Sequence, residues 1–397
     1  MIRALTILLC LASAAAAQDF QVGARAKAMG GSYTAFGDDP VAIWTNPAGI
    51  AGQPSQLAVT YQSFAQYEFD KIGMVISGDV EGEAEQGLLD PPITPSFAGA
   101  VAQLGDKDLE MAAAFAFIRP FQIKYVYWFE DPALDDLATQ TDQQFSRIRA
   151  AFAVGKRLSE TSGFLTRVAA GVALDYVYTR YREIDQSPLP DAWTLIFEDS
   201  ESSAGFGAGI LATLFESDSF MVDAGAAFNS GVSFNFDLDP ALYPVWDWPT
   251  LASAGLAFYI TEGYPLRVTA DVQWVAWEDS VGEPDPTMKG FEDTLSFSLG
   301  AEYRFRLKET TWLYARAGFK SYDTPWGRES ELPAVGLSQL KIDTRGDRVE
   351  ILTLGLGLYW TRKNAEGQTR ILGVDLAAEL FGETEYLMGI GLTYQFD

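Results

Sequence analysis

The feature that most constrains the fold is a strict alternation of apolar and small polar residues over many long segments. In residues 349–360, VEILTLGLGLYW, leucines alternate with threonine and glycine, and residues 294–307 and 385–396 repeat the pattern. Side chains of a β-strand point alternately to the two faces of its sheet, so each segment predicts a strand with one apolar and one small, polar face. The chain is therefore predicted to be all-β.

The predicted strands are also long and numerous. They run to about 11–16 residues, whereas strands of soluble proteins have about 5–6 and a tilted transmembrane strand needs about 9–11. Their number, about fourteen, is even, as in bacterial outer-membrane barrels. Short turns alternate with long loops, such as the loop between strands predicted at 163–180 and 203–215. Together these features predict a transmembrane antiparallel β-barrel over residues 56–397 rather than a soluble β-sandwich.

The N-terminus predicts a secretory signal over residues 1–17, where Arg3 precedes an apolar run and a small-residue cleavage site. A lipoprotein acylated at Cys10 is the weaker alternative. Cys10 is the single cysteine and leaves with the signal, and the chain has no histidine. Thiolate metal sites and histidine-based catalysis are therefore not expected, nor are metals or cofactors. The net charge of −26 argues against nucleic-acid binding.

Residues 18–55 precede the first strand and are too short to bury a core of their own. A barrel of about fourteen strands encloses more space than its own side chains fill, since about eight strands already fill theirs. The segment is therefore predicted to lie in the lumen as a hatch, or plug, and the alternative is a periplasmic tail. Asp39 is expected to cap a short helix that an Asn-Pro turn ends. The residues expected to shape the hatch are Gly30, Gly31, Asp38, Asp39, Asn46 and Pro47.

Charged residues on the polar faces of the predicted strands are expected to hold this hatch by polar contacts. They are Arg147, Arg149, Asp175, Asp271, Glu302, Arg304, Arg316 and Asp375.

The stretch GARAKAMGGSYTAFGDDPVAIWTNPAGIA, residues 23–51, resembles the N-terminal hatch of the FadL/TodX family of outer-membrane transporters. Its Ala-Met-Gly-Gly and Asp-Asp motifs are most similar to those of the PorV/PorQ branch of that superfamily. The last strand resembles an assembly signal, although Asp397 follows the aromatic Phe396. The resemblance implies a plugged barrel in the outer membrane of a Gram-negative bacterium. The alternation of short turns and long loops places both termini in the periplasm.

The resemblance also implies uptake of hydrophobic small molecules, such as long-chain fatty acids, by lateral diffusion through the barrel wall. Aromatic residues of long loops are candidates for ligand capture, and the alternative is a membrane-interface girdle or loop packing. Leu195 and Phe197 are predicted to lie in the middle of a loop. Three arginines on neighbouring strands are candidates for a fatty-acid carboxylate. The full candidate set is Trp193, Leu195, Phe197, Tyr243, Val245, Trp246, Trp248, Arg304, Arg306 and Arg316.

The expected partners are outer-membrane lipid and lipopolysaccharide, a hydrophobic ligand, and the assembly machinery that recognises the C-terminal strand. The alternative function, which the PorV/PorQ resemblance implies, is handling or docking of proteins in type IX secretion. Pro120, next to the third predicted strand, is a candidate for a kink in the wall.

Overall fold

The computed structural model describes residues 21–63, 74–76, 80–85, 95–106, 108–119, 122–129, 137–159, 162–186, 193–236, 247–260, 265–278, 292–323, 330–332, 340–342, 348–363, 369–381 and 385–396. Two short α-helices and a 3-10 helix open the chain: α1 (Ala24–Lys27), α2 (Ala42–Thr45) and the 3-10 helix Pro47–Ile50. In the ranges given, no helix is long and apolar enough to cross a membrane.

Nineteen strands follow in these ranges. They are β1 (Gln56–Ser63), β2 (Met74–Ile76), β3 (Val80–Glu85), β4 (Phe97–Gln103), β5 (Leu109–Ile118), β6 (Gln122–Phe129), β7 (Leu137–Arg157), β8 (Gly163–Gln186), β9 (Trp193–Glu216), β10 (Phe220–Asn229), β11 (Thr250–Ile260), β12 (Leu266–Ala276), β13 (Thr294–Lys308), β14 (Thr311–Asp323), β15 (Ser330–Leu332), β16 (Leu340–Ile342), β17 (Arg348–Lys363), β18 (Thr369–Phe381) and β19 (Glu385–Phe396).

Fourteen of these strands form a closed antiparallel barrel, which confirms the predicted fold. Each strand of the barrel pairs with the next in the order β1, β4, β5, β7 to β14 and β17 to β19. The last strand then closes the barrel by pairing with the first, from Gln56 opposite Gln395 to Ser63 opposite Met388. Full closure gives each of the fourteen strands a partner on both sides, so the ladder pairs most backbone hydrogen-bonding groups of the described wall.

The two faces of the wall differ as the alternation predicts. On β13, Leu295, Phe297 and Leu299 are 42%, 45% and 53% exposed, whereas Ser296 and Ser298 between them are each 8% exposed. The leucines of β17 are exposed in the same way. The barrel therefore carries an outward-facing apolar belt, and its small and polar side chains line the lumen.

The hairpin of β8 and β9 extends much further than the sequence predicts. The strands expected to end at 180 and to begin at 203 continue to Gln186 and from Trp193, and they remain paired over this length. Leu195 and Phe197 therefore lie on β9, so their predicted position in the middle of a loop is wrong. The sequence of the extension, YREIDQ over residues 181–186 and WTLIFEDSES over residues 193–202, does not alternate strictly between apolar and polar residues. Backbone pairing does not require such alternation.

The two rims of the barrel thus differ. At one rim, called here the short-turn rim, turns join β4 to β5, β7 to β8, β9 to β10 and β13 to β14. At the other, called here the long-hairpin rim, β7, β8 and β9 extend beyond the wall, and the small strands β3 and β6 add to β7.

Candidate functional site

The N-terminal segment fills the interior of the barrel. Every residue from Gln21 to Phe36 is buried, and so are all residues from Asp39 to Ala51. Helix α1 packs against β17, β18 and β19, and the 3-10 helix packs against β7, β8 and β9 on the other side. The described part of the predicted hatch, residues 21–55, therefore lies in the lumen and touches opposite sides of the wall.

Glycines let the hatch backbone approach the wall closely. Gly30 and Gly31 have φ values of 64° and 77°, a conformation that side-chain-bearing residues rarely adopt. A Cβ on Gly30 would stand 2.7 Å from the carbonyl oxygen of Phe319. On the wall, a Cβ on Gly318 would collide with the backbone of Met29 and Gly30. Small residues on the lumen face of β14 thus match small residues of the hatch.

An ionic latch holds one side of the hatch to the wall. The Arg25 guanidinium donates to both carboxylate oxygens of Glu302 at 2.9 Å and to Asp38 at 2.9 Å. Arg316 donates from the wall to the same Glu302 at 2.7 Å and to Asp375 at 2.6 Å. Further contacts are Arg267 with Glu302 and Asp38, each at 3.1 Å, and Lys27 with Glu379 at 2.7 Å. We call this set the ionic latch.

Two polar residues predicted from the sequence anchor the middle of the hatch. The wall carboxylate of Asp271 accepts the backbone N–H groups of Tyr33 and Thr34, each at 2.7 Å. The Asn46 amide donates to the carbonyl oxygens of Thr34 in the hatch and Ile210 in the wall, at 2.8 and 2.9 Å. Asn46 therefore joins two parts of the hatch to β9. Its side-chain oxygen also accepts the N–H of Ala48 and caps the 3-10 helix that begins at Pro47.

Asp39 serves a slightly different purpose from the one predicted. Helix α2 begins only at Ala42, without a side-chain cap, and the Asp39 carboxylate instead accepts the N–H of Val41 at 2.7 Å and the Tyr33 hydroxyl. Burial raises the pKa of the Asp39 carboxyl to about 6, and the Arg25 guanidinium, 3.9 Å away, opposes this rise. Asp39 thus closes the turn ahead of the helix rather than capping the helix itself.

On the opposite side of the hatch, aromatic side chains form a continuous row inside the lumen. We call it the aromatic row: Trp44, Trp248, Phe145, Phe234, Phe236 and Tyr181. Successive ring centroids lie 6.0, 5.8, 6.2, 6.3 and 6.5 Å apart, within the range of favourable aromatic contacts. The row begins on the hatch and ends at Tyr181 on the hairpin of β8 and β9, so it leads from the hatch towards the long-hairpin rim.

A surplus cation lies at the base of this row. The Arg147 guanidinium lies over the rings of Trp44 and Trp248, at 5.1 and 4.5 Å from their centroids. Its single hydrogen bond to a described residue reaches Asp175 at 3.3 Å, and Arg149 already binds both oxygens of that carboxylate at 2.6 and 2.7 Å. The Nε and Nη2 atoms of Arg147 are buried and have no hydrogen-bond partner within the described ranges. Two buried arginines therefore share one carboxylate.

The lumen charges predicted to hold the hatch do so in several cases. Arg149 donates to the carbonyl oxygens of Ile43 and Trp44 at 3.1 and 3.3 Å, and Glu302 and Asp271 bind the hatch as described. Arg304 differs, because it is exposed and lies over Trp312 at the short-turn rim.

The candidate ligand residues are dispersed. Trp248 is 2% exposed and belongs to the aromatic row. Trp193, Leu195 and Phe197 lie on β9. Tyr243, Val245 and Trp246 lie outside the described residues. Arg304 and Arg306 flank Trp312 at the short-turn rim, and Arg316 belongs to the ionic latch, so the structure does not bring the three arginines together at one carboxylate site.

Sequence reasoning missed most of the aromatic row. Phe145 and Tyr181 lie on the lumen faces of β7 and β8. Phe234 and Phe236 belong to the segment after β10, which forms a single β-bridge between its Val232 and Trp248. A signal was present, because Phe145 occupies the same strand face as Arg147 and Arg149. An aromatic residue on the polar face of a barrel strand indicates an interior contact.

The pairing register along β7 changes beside this row. Strand β5 pairs with β7 up to Ile118 opposite Arg147, and β6 resumes the pairing at Gln122 opposite Gln144. Four residue steps on one side thus face three on the other, so the register shifts by one residue between these two pairs. Pro120, the predicted kink, lies in this interval but outside the described residues.

Comparison with known proteins supports the fold and not a closer relationship. No family model matches the chain, and no curated protein matches its sequence. A FadL homologue of Pseudomonas aeruginosa has 16% identity and a TM-score of 0.55 over 93% of this chain and 96% of its own. The toluene transporter TbuX of Ralstonia pickettii has 12% identity and a TM-score of 0.54 over 96% of this chain and 98% of its own. The toluene transporter TodX of P. putida has 13% identity and a TM-score of 0.52 over 96% of this chain and 99% of its own.

Identities this low establish the fold alone. The expected likeness to FadL/TodX-type barrels is confirmed at that level, and the finer similarity to PorV and PorQ gains no support. A role in type IX secretion stays a prediction.

Proposed function

We propose that this chain is an outer-membrane transport protein, a plugged barrel that takes up hydrophobic small molecules. The observation that carries the proposal is the aromatic row, which runs inside a polar lumen from Trp44 of the hatch to the long-hairpin rim. An apolar solute gains about 25 cal/mol for each Å² of apolar surface that it buries, so aromatic rings attract it where polar lumen side chains do not. The toluene transporters TbuX and TodX share the fold, which supports this class of ligand.

The surplus Arg147 favours a ligand that carries an anionic group. A carboxylate seated beside Arg147 would neutralise the second of two arginines that share Asp175 and would engage the unpartnered Nε and Nη2 atoms. Hydrogen bonds between charged groups contribute about 1.5–3 kcal/mol. A long-chain fatty acid combines this head group with a chain that fits the aromatic row, and Arg147 rather than Arg304, Arg306 or Arg316 is its proposed carboxylate partner.

The change of register between the β5–β7 and β6–β7 pairings supports release through the wall. It lies at Phe145 of the aromatic row, between Gln144 and Arg147, so a ligand on the row would lie beside this change of register. The ionic latch, in contrast, holds the hatch against the remaining wall. We therefore propose lateral diffusion through the wall near this change of register, with the short-turn rim in the periplasm.

Ligand binding to the detergent-purified protein tests the proposal. Labelled oleate and oleyl alcohol, which differ at the head group, should both bind, with oleate the tighter. Arg147→Gln should weaken oleate about tenfold or more and leave oleyl alcohol nearly unchanged. The matched control is Arg180→Gln, which removes an exposed arginine of the β8–β9 hairpin that pairs with Glu198.

The outcomes separate the two parts of the proposal. Equal affinity for oleate and oleyl alcohol would refute the anionic ligand but retain hydrophobic uptake. No binding of either molecule, combined with porin-like conductance in a planar bilayer, would refute hydrophobic transport.

A further inference from the structure

Two arginines face each other on the outside of the barrel at the short-turn rim. Arg362 of β17 stands directly opposite Arg370 of β18, and both are exposed. Two residues further into the wall, on the same face, Trp360 stands opposite Leu372, and these side chains are 39% and 46% exposed. Because residues two apart share a strand face, the arginine pair continues the outward-facing apolar belt rather than the lumen.

Among the residues that the structure describes, none supplies this pair with a counter-charge. Directly opposed residues of a β-ladder have Cβ atoms about 4.5–5.5 Å apart, and like charges in such a pair destabilise the sheet. Neither arginine forms an ion pair or hydrogen bond with another residue of the described ranges, including Glu309 in the neighbouring turn. Glu366 of the β17–β18 turn and the terminal Asp397 lie outside those ranges.

Aromatic residues place the pair at the level of lipid head groups. Arg370 pairs on its other side with Phe396, and Leu372 pairs with Tyr394, whose ring lies 5.9 Å from that of Phe396. Tryptophan and tyrosine side chains form girdles at the boundary between hydrocarbon and water in membrane barrels. The row of Arg362, Arg370 and Phe396 lies one step beyond such a girdle, on the aqueous side.

We propose that Arg362 and Arg370 bind the phosphate of an anionic phospholipid, whose acyl chains lie along Trp360 and Leu372. Guanidinium groups bind phosphate oxygens through paired, charge-assisted hydrogen bonds, and a phosphate between the two arginines removes their repulsion. An acidic protein could supply the charge, but the adjoining apolar column suits a lipid. The inference rests on the proposed membrane location and not on the ligand that the barrel carries.

The same rim supplies a matched control. Arg304 and Arg306 are also exposed, but they lie on the lumen face of β13 and flank Trp312 at 4.6 and 5.5 Å. The double variants R362Q/R370Q and R304Q/R306Q therefore remove equal charge from opposite faces of one rim.

Native mass spectrometry of the delipidated full chain, titrated with dioleoyl phosphatidylglycerol or dioleoyl phosphatidylcholine, tests the site. The natural protein and R304Q/R306Q should prefer the anionic lipid by about tenfold or more, and R362Q/R370Q should lose that preference. Equal loss in both double variants would overturn the site in favour of general rim charge. Absence of any preference in the natural protein would also overturn it and would indicate that the chain neutralises its own arginines.

Oleate binding by R362Q/R370Q serves as the folding control. It should match the natural protein, because the pair lies outside the lumen. If R362Q/R370Q keeps oleate binding but loses the lipid preference, the lipid site is supported. If the natural protein does not bind oleate at all, that result counts against the proposed transport and not against the lipid site.

Discussion

The two sides of the lumen treat buried charge in opposite ways. In the ionic latch, the arginines at 25, 267 and 316 face three carboxylates, those of Asp38, Glu302 and Asp375. At the base of the aromatic row, Arg147 and Arg149 share the single carboxylate of Asp175. Both sides begin on the hatch, the first at Arg25 and the second at Trp44.

The difference separates a structural contact from the proposed binding site. Breaking a buried ion pair by removal of one partner is strongly destabilising, so a balanced network holds the hatch in one position. An uncompensated buried cation is unfavourable by itself and becomes favourable when an anion arrives. The latch side therefore anchors the hatch, and the row side is where we propose that an anionic ligand binds.

The largest expected effect comes from Glu302→Gln, which breaks the balance of the latch. Arg25, Arg267 and Arg316 would lose the carboxylate that they share, and the free energy of hatch opening should fall by about 3–5 kcal/mol. Hydrogen exchange of the amides in residues 24–36 measures that opening, and it should accelerate at least about a hundredfold.

Glu198→Gln is the control for this substitution. It removes a carboxylate from an exposed pair with Arg180, for which about 0–1 kcal/mol is expected, and it should leave hatch exchange unchanged. Similar exchange in both variants would show that the latch does not hold the hatch.

A paired comparison of Arg316→Gln and Arg147→Gln sharpens the contrast. Arg316→Gln leaves Asp375 and Glu302 without a shared cation and should weaken hatch closure by about 3 kcal/mol. Arg147→Gln leaves Asp175 bound by Arg149 and should change closure by about 1 kcal/mol or less, because lost cation–π contacts offset the removal of an unpaired charge. Hydrogen exchange of the same hatch amides gives both values, and equal effects would contradict the division into latch and row.

The smallest expected effect concerns pH. The pKa of Asp39, about 6, lies above its ordinary value of 3.8, so the folded hatch binds this proton more tightly than the open segment. The stabilisation of hatch closure by this protonation is fully present at a pH below 3.8, the ordinary pKa, and is lost as the pH rises through about 6. Between pH 5 and 7, hatch closure should weaken by about 1 kcal/mol.

Asp39→Asn provides the comparison for that dependence. The neighbouring titratable or charged groups are Arg25, Asp38 and Tyr33, and they remain in the variant. If hatch exchange, corrected for its intrinsic pH dependence, varies equally in both proteins, then Asp39 does not carry the effect.

Much of the barrel could be predicted because its determinants are local. Alternation such as that of residues 349–360 specifies a strand and its two faces, and Gly30 and Gly31 indicate close backbone approach. The β8–β9 extension escaped prediction because its sequence does not alternate strictly between apolar and polar residues, and its pairing depends on the partner strand rather than on a pattern. The carboxylate partner of Arg149 and Arg147 also depends on register, which places Asp175 opposite Arg149.

The sequence by itself determined a β-barrel with an apolar exterior and an N-terminal hatch, because periodicity and segment length act within each strand and need no knowledge of its neighbours. Only the tertiary structure decided which charges balance and which remain in surplus. That outcome depends on residues as far apart in the chain as Arg25 and Glu302, or Trp44 and Trp248, and barrel closure alone brings them within contact distance.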